Sequence, residues 1–446
     1  MNTKKHILFI GHNGGMAGAE YSLLRLIREI QSEFQITVCA PADGPFEKAI
    51  TQLGIPFHHL SPLYPLQANH SQLSVLPAFA DRCISNISQL SNSLEKPDII
   101  HSNTTLVWDG AFLAAHWQIP HVWNLREILK RSASWSPLLS YENQLALMNQ
   151  LSDLFVCVSS SLDDSLEGIV PASKRQVIHN GLDKTIEISS STAREKLRES
   201  LRGKVSLDDG TRIILTVGNF IRDKGYDFLV ETLSHLAQAK EYSKALNNTL
   251  FLWVGRHQEE SQAIQKAIEE KQLQSLVCMP GHIDNFAQHM AACDLYILSS
   301  VSEAFPTVAL EAILADIPVI SRDNGGIRDI AAHGQVHILD NDSPECMSTA
   351  IGDYLMGKLT IPPLKEYPFS MKQMASHYTQ AYHHSINHFS AQEQRSFLLE
   401  SLKNLAEDLK PSLKLLIQER QNRISGWRSY WPRAMAKFKR ALAKMR

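Results

Sequence analysis

His6-Ile-Leu-Phe-Ile10-Gly11-His-Asn-Gly14-Gly15 and, much later in the chain, Arg212-Ile-Ile-Leu-Thr-Val217-Gly218-Asn-Phe-Ile-Arg-Asp-Lys224-Gly225 carry the same order of features. Each is a continuous apolar run, then a loop containing glycine, then a stretch with helical apolar spacing. After the first, Leu23, Leu24, Ile27 and Ile30 recur at three and four, the period of one helix face. Apolar runs then alternate with helical stretches: Gln35–Cys39, Asp98–His101, His121–Trp123, Leu154–Val158 and Gln176–Ile178 in the first series. Thr249–Val254, Leu276–Cys278, Asp294–Leu298 and Ile317–Ile320 continue the second. Strands that are apolar at every position belong to parallel sheets covered on both faces. The expectation is α/β: two Rossmann-like, doubly wound domains facing across a cleft, with ligands at the carboxyl ends of the strands. Beyond about residue 365 the pattern is helical to the end.

The 446 residues are long enough for two such domains. Hydrophobic content of 44% with 20% charged residues excludes wholesale disorder and fibrous classes. A net charge of -2 gives no global field for nucleic acid, so none is expected as a partner. The charge is unevenly placed, however: Arg420 to Arg446 holds nine Lys/Arg and no Asp/Glu. Six scattered cysteines without a C-x-x-C pair point to a reducing, cytoplasmic setting. The apolar run at Ile7–Ile10 is too short for a signal-peptide core, and no stretch reaches the length of a membrane span.

Three segments carry chemistry. Gly14-Gly15-Met-Ala-Gly18-Ala19-Glu20 lies between the first strand and first helix, where backbone N–H groups can approach an anion. Its spacing is not the G-x-G-x-x-G of nicotinamide sites. Lys224 precedes a glycine and a helix and can reach phosphate oxygens, although a lone loop lysine is ordinarily solvated. Ser302-Glu303-Ala-Phe-Pro306-Thr-Val-Ala-Leu310-Glu311 places two carboxylates eight residues apart. Pro306 suits the first turn of a helix, which puts Glu303 in the preceding loop and Glu311 more than a turn inside. Glu311 falls in an apolar run, so it must be paired in a salt bridge or meet a ligand.

The last segment resembles the E-x7-E signature of retaining glycosyltransferases with the GT-B fold, of the large family 4. Other stretches are similar to the same family in order: Gly18-Ala19-Glu20, Asn180-Gly181-Leu182-Asp183, Val217-Gly-Asn219…Lys224-Gly225, Pro318-Val-Ile-Ser…Gly325-Gly326-Ile-Arg-Asp329, and Phe369…Tyr378…Tyr382. The resemblance implies that Lys224 holds the donor diphosphate, Glu311 the ribose hydroxyls and Glu303 the transferred sugar. It implies that the backbone of Ala304, Phe305, Pro306 and Thr307 approaches sugar and phosphate. Gly14 and Gly15 would complete the cradle from across the cleft, and Gly18, Glu20 and Asn124 would lie on the acceptor side.

Departures from the family pattern are specific. Asn219 stands where an arginine is frequent, and Arg222 is the candidate replacement. Asp316 stands where a glycine is common. Arg126-Glu127 replaces a His-Asp pair: Arg126 could hold phosphate or an acceptor carboxylate, while Glu127 could act as base or simply pair with Arg126. No metal is expected. The histidines lack ligand spacing, and Asp340-Asn-Asp342 before Ser343-Pro344 reads as a turn and helix cap. In the tail, Trp431, Met435, Phe438, Leu442 and Met445 share one helix face, with Arg433, Lys437, Arg440 and Lys444 opposite. Such a helix suits an anionic membrane surface, or packs on the acidic body.

The expected organisation is residues 1–188 as an acceptor-binding domain, 189–365 as a nucleotide-sugar-binding domain, 366–392 as helices crossing back, and 393–446 as a basic helical tail. The expected activity is retaining transfer from a nucleoside-diphosphate sugar to a hydroxyl of a glycan or lipid-linked glycan in surface polysaccharide biosynthesis. The nucleotide sugar is a co-substrate and no cofactor is needed. The alternatives are a non-hydrolysing sugar-nucleotide 2-epimerase and a catalytically silent binding protein of the same fold.

Overall fold

A computed structural model describes residues 4–61, 75–128, 141–183, 190–205, 208, 210–284 and 286–390. The basic tail and its amphipathic helix lie outside the described residues. No helix among those described is long and apolar enough to cross a membrane.

Two all-parallel sheets form the body. The first has β1 (His6–Ile10), β2 (Gln35–Ala40), β3 (Phe57–His59), β4 (Ile99–Asn103), β5 (His121–Leu125), β6 (Leu154–Cys157) and β7 (Arg175–Val177). Their spatial order is β3-β2-β1-β4-β5-β6-β7. The second has β8 (Arg212–Val217), β9 (Thr249–Val254), β10 (Val277–Gly281), β11 (Leu295–Leu298), β12 (Val319–Ser321) and β13 (Val336–Ile338), in the order β10-β9-β8-β11-β12-β13. Both sheets reverse direction of growth beside their first strand, between β1 and β4 and between β8 and β11. A crevice opens at each such switch point. The apolar runs are explained by burial: β4, β5 and β9 are buried at every residue because helices cover both faces.

Some boundaries differ from the sequence expectation for local reasons. β4 starts after Asp98 because that carboxylate is occupied in accepting the His6 backbone N–H at 2.8 Å and the Lys5 ammonium at 2.8 Å. β10 runs through Pro280 at the sheet edge, where a missing N–H costs no ladder bond. β3, three residues at the other edge, gave no readable period. Asp316 has φ +59, the left-handed conformation that explains a glycine preference there; aspartate tolerates it better than most residues.

The chain returns to the first domain through a strap. Leu182 N–H donates to Phe369 O at 2.8 Å, and the Tyr367 hydroxyl donates to Leu182 O at 2.7 Å. Gly181 lies against the strap so closely that a Cβ would stand 2.7 Å from Met371 Cα. The helix Met371–Asn387, capped by the Ser370 hydroxyl, then buries Met374, Tyr378 and Tyr382 in the first-domain core. The helix Ser190–Ser200, which begins within the serine run, packs on the turn Phe286–Ala292 of the second domain. A single apolar cluster continues from the first sheet through Leu182, Phe305 and Phe369 into the second.

Candidate active site

The second-domain wall begins where β8 ends. The chain passes Gly218 into a tight turn, Arg222–Lys224, and then Gly225 at φ +65. A Cβ on Gly225 would stand 2.3 Å from Ser299 O, so both conformation and space demand glycine. The Ser299 hydroxyl donates to Lys224 O at 2.8 Å, and the Lys224 stem lies over Gly218. The ammonium is thereby aimed into the crevice, where it meets Glu303 Oε1 at 2.6 Å.

Glu303 is fixed by its backbone. Its N–H donates to Asn324 O at 3.1 Å, and its carbonyl accepts from Gly326 N–H at 2.9 Å. A Cβ on Gly326 would collide with Ala304 O at 2.1 Å, so the Gly325-Gly326 pair is what lets the Glu303 loop sit this deep. The helix Thr307–Leu314 follows. Pro306 is its N-cap and not a first-turn residue as the sequence suggested. The first N–H groups of the helix therefore open toward the crevice and lack intrahelical partners. Phe305 packs on His179 and Phe369, with ring centroids 5.2 and 5.5 Å away.

Glu311 lies just over one turn in. Burial pushes its carboxyl above the usual range, opposed by Arg25 of the first domain, whose Nη2 is 4.0 Å from Oε1. Both alternatives for Glu311 are thus in play: it has a cation across the domain boundary, yet the pair is long. One basic residue on an amphipathic helix carries no distinguishing signal in the sequence, so Arg25 is recognisable only in the structure.

The opposite wall comes from the first domain. Gly18 and Ala19 start the helix Gly18–Ile30 and line the crevice with Arg126, Glu127 and Asn180. Together with Lys224, Glu303 and residues 304–308 they enclose about 330 Å³. Several residues expected at the ligand stand elsewhere. Gly14 is pressed against the neighbouring loop, where a Cβ would be 2.8 Å from Pro41 O, and Gly15 N–H is taken by Asn13 Oδ1 at 2.9 Å. Glu20 is 1% exposed and ties its own loop, accepting from Ala17 N–H at 3.2 Å and lying 3.1 Å from His12 Nδ1. Asn124 is fully buried under the crevice floor, its amide reaching Asn103 at 3.5 Å. Asn219 accepts from Arg256 N–H, and Arg222 borders a different depression with Asp227, so neither lines this crevice.

Arg126 and Glu127 do not pair with each other. Arg126 Nε donates to Asn103 Oδ1 at 2.8 Å, Nη1 to Asn180 Oδ1 at 2.8 Å and Nη2 to Ser22 Oγ at 3.0 Å. One guanidinium therefore brackets β4, the first helix and the Asn180 segment while still lining the crevice. Beneath it His101 is pushed down to about 3 by burial and then by Arg126, so it stays neutral beside the Tyr382 hydroxyl at 2.8 Å. Glu127 Oε2 accepts from both the backbone N–H (3.0 Å) and hydroxyl (2.6 Å) of Thr105. The preceding Thr104 has φ +94, which for a β-branched residue costs ~1–3 kcal/mol and persists only where surroundings dictate it. Nothing in the sequence distinguished Thr104 or Thr105.

At the domain boundary, Asp329 accepts from Ser160 N–H at 2.8 Å and His179 Nε2 at 2.7 Å. Burial opposes its charge, but these contacts hold its carboxyl below the ordinary range. Asp342 is engaged by Arg322, with Nη2 to Oδ2 at 2.6 Å, and Ser343 caps the next helix. No cluster of three metal-ligating side chains occurs among the described residues.

Two facing parallel-sheet domains, with a lysine, a glutamate and a helix N-terminus at the second domain's switch point, define a GT-B type of site. The model "Glycosyltransferase Family 4" matches residues 16–185, and "Glycosyl transferases group 1" matches 198–361. The chain belongs to this group 1/family 4 glycosyltransferase family. It is 28% identical over 171 residues to the putative teichuronic acid biosynthesis glycosyltransferase TuaC of Bacillus subtilis, covering 38% of this chain and 39% of that one. With N-acetyl-alpha-D-glucosaminyl L-malate synthase of Bacillus anthracis it shares 24% over 201 residues, 45% and 49% of the two chains. These alignments span about two fifths to a half of the relatives' length. Among solved structures, Anabaena HepE in complex with UDP and glucose superposes with a TM-score of 0.60 at 19% identity, over 92% of this chain and all of that one. Sucrose-phosphate synthase from Thermosynechococcus elongatus gives 0.64 at 17% identity, over 85% and 99%. At such identities the superpositions establish the fold.

Proposed function

We propose that the protein transfers a glycosyl group from a nucleoside-diphosphate sugar to a hydroxyl of a glycan or lipid-linked glycan, with retention at the anomeric carbon. The observation that carries this reading is the Lys224–Glu303 pair at 2.6 Å beside the open N-terminus of Thr307–Leu314. A diphosphate leaving group needs fixed positive charge, supplied by Lys224 and the helix N–H groups. When the diphosphate takes the ammonium, Glu303 is released to accept from sugar hydroxyls. Glu311, whose pair with Arg25 is long, is free to accept from ribose. HepE, which shares the fold, is described with UDP, with UDP and glucose and with UDP-glucose, and this supports a nucleotide sugar as co-substrate here. Residues 420–446 would hold the enzyme at an anionic membrane surface, each basic residue adding roughly 1 kcal/mol. Co-sedimentation with anionic vesicles, lost when the chain ends at Glu419, would support that placement.

The direct test is a thermal-shift series with nucleoside-diphosphate sugars. A donor at 100 times its dissociation constant stabilises by about 2.7 kcal/mol. Retention is then read from the anomeric configuration of the product. Interconversion of two free nucleotide sugars by the protein would replace this reading with epimerisation.

A further inference from the structure

We infer that the acceptor end entering the crevice is an uncharged hydroxyl, as on a neutral sugar, and that Glu127 receives it. This rests on the transfer reading above. Two charged side chains follow β5 on the first-domain wall, and they are held differently. All three nitrogens of Arg126 donate to neutral oxygens of Asn103, Asn180 and Ser22. Three of its five N–H groups are committed to that bracket, so most of its donor capacity is used before any ligand arrives. Glu127 presents the opposite situation. It lines the crevice facing Lys224 and Glu303; its Oε2 is fixed by Thr105, and its Oε1 carries no hydrogen bond or ion pair among the described residues. A fixed carboxylate with one open oxygen accepts from a hydroxyl and repels an anion.

The loop that fixes Glu127 is held in an unfavourable conformation from three sides. Thr104 N–H donates to Asn124 O at 3.0 Å, its carbonyl accepts from Trp123 Nε1 at 2.8 Å, and its Oγ1 accepts from Leu106 N–H at 3.2 Å. These contacts force φ to +94 and turn both donors of Thr105 toward Glu127. Strain sustained in this way is characteristic of a site where a side chain must be aimed. Thr104 and Thr105 are positioning residues. In the step, the acceptor oxygen bonds to the anomeric carbon on the face that the diphosphate leaves, as the bond from that carbon to the diphosphate oxygen breaks. The diphosphate leaves with the electron pair, and the hydroxyl proton passes to Glu127 Oε1 and on to solvent.

The experiment uses the full chain and the nucleotide sugar giving the largest thermal shift. Nucleoside-diphosphate release is measured with water alone, with methyl α-D-glucopyranoside and with D-glucuronate. The wild type is expected to respond to the glucoside several-fold more than to glucuronate. Glu127→Gln should bind the nucleoside diphosphate as wild type does, yet release it at least tenfold more slowly with water and with glucoside. Thr105→Val should slow release several-fold, and Thr105→Ser, which keeps the hydroxyl, should restore it; a merely structural threonine would give the same rate in both. Faster release with glucuronate than with glucoside, or a wild-type rate in Glu127→Gln, overturns the inference. Should neither sugar act, the water rate of Glu127→Gln decides alone. If no nucleotide sugar shifts the wild type, the transfer reading itself falls, so the two failures are distinguishable.

Discussion

The two walls of the crevice use charge in opposite ways. On the second-domain wall, Lys224 and Glu303 are partly exposed and bonded chiefly to each other. On the first-domain side, Glu20 is buried in its own loop and Arg126, at the crevice, is bonded mainly to the protein's own Asn103, Asn180 and Ser22. One wall keeps its ionic groups available for a ligand. The other invests them in rigidity and leaves one oxygen of Glu127 open. A charged residue at a strand end can therefore be binding machinery or scaffold, and its hydrogen-bond partners decide which.

Substitutions can break that comparison, the largest effect first. Lys224→Ala should lower turnover by roughly 10- to 150-fold, the rate equivalent of a lost charge-assisted contact worth ~1.5–3 kcal/mol, with little change in denaturant midpoint. Wild-type turnover in the purified variant would place the diphosphate elsewhere. Arg126→Met should do the reverse. It leaves the Asn103 oxygen with only the Asn124 amide at 3.5 Å, while Asn180 keeps the Ser22 hydroxyl at 2.8 Å, so the urea midpoint falls by the equivalent of about 1–3 kcal/mol for one poorly satisfied group. An unchanged midpoint together with lost acceptor affinity would make Arg126 a ligand-binding residue after all.

A subtler contrast concerns Glu311. Its folded carboxyl titrates above the usual 4.5 because burial disfavours the charge. The folded state then binds more protons than the unfolded state as pH rises from about 4.5 toward the raised value, so stability falls across that window. Glu311→Gln should flatten this fall and weaken nucleotide binding. Identical stability–pH curves would show that Arg25 already compensates the charge. The smallest effect is expected from chelation. EDTA should leave turnover essentially unchanged, because Lys224 and the helix N-terminus supply the positive field at the diphosphate. Loss on chelation with recovery on adding manganese would require a cation between the two walls.

The readable part of the site was the part set by local backbone chemistry. Lys224-Gly225, Glu303 before Pro306 and the Gly325-Gly326 pair each need a particular residue for a turn, a close approach or a helix start, and these demands leave marks in the sequence. Gly14 and Gly15 left the same kind of mark, but the close approach is to Pro41 and Ala42 for Gly14 and to the Asn13 side chain for Gly15. A glycine records that something passes near and does not record what. Arg25, Thr104 and Thr105 left no mark, since their significance lies in partners far along the chain or in a φ angle imposed by neighbouring strands.

By itself the sequence determined the two parallel sheets, because strands buried on both faces must be apolar throughout and their helices must show a period near 3.6. It also determined the order of the second-domain motif, which is continuous along the chain. The tertiary structure alone decided that Arg126 braces three segments and that one oxygen of Glu127 stays open. Both follow β5 as neighbours with equal claim on the crevice. What separates them is that Ser22, Asn103 and Asn180, from three distant segments, converge on one side chain, while Thr105 turns to the other. Long-range convergence of neutral oxygens depends on how elements pack, and packing is not encoded in any local run of residues.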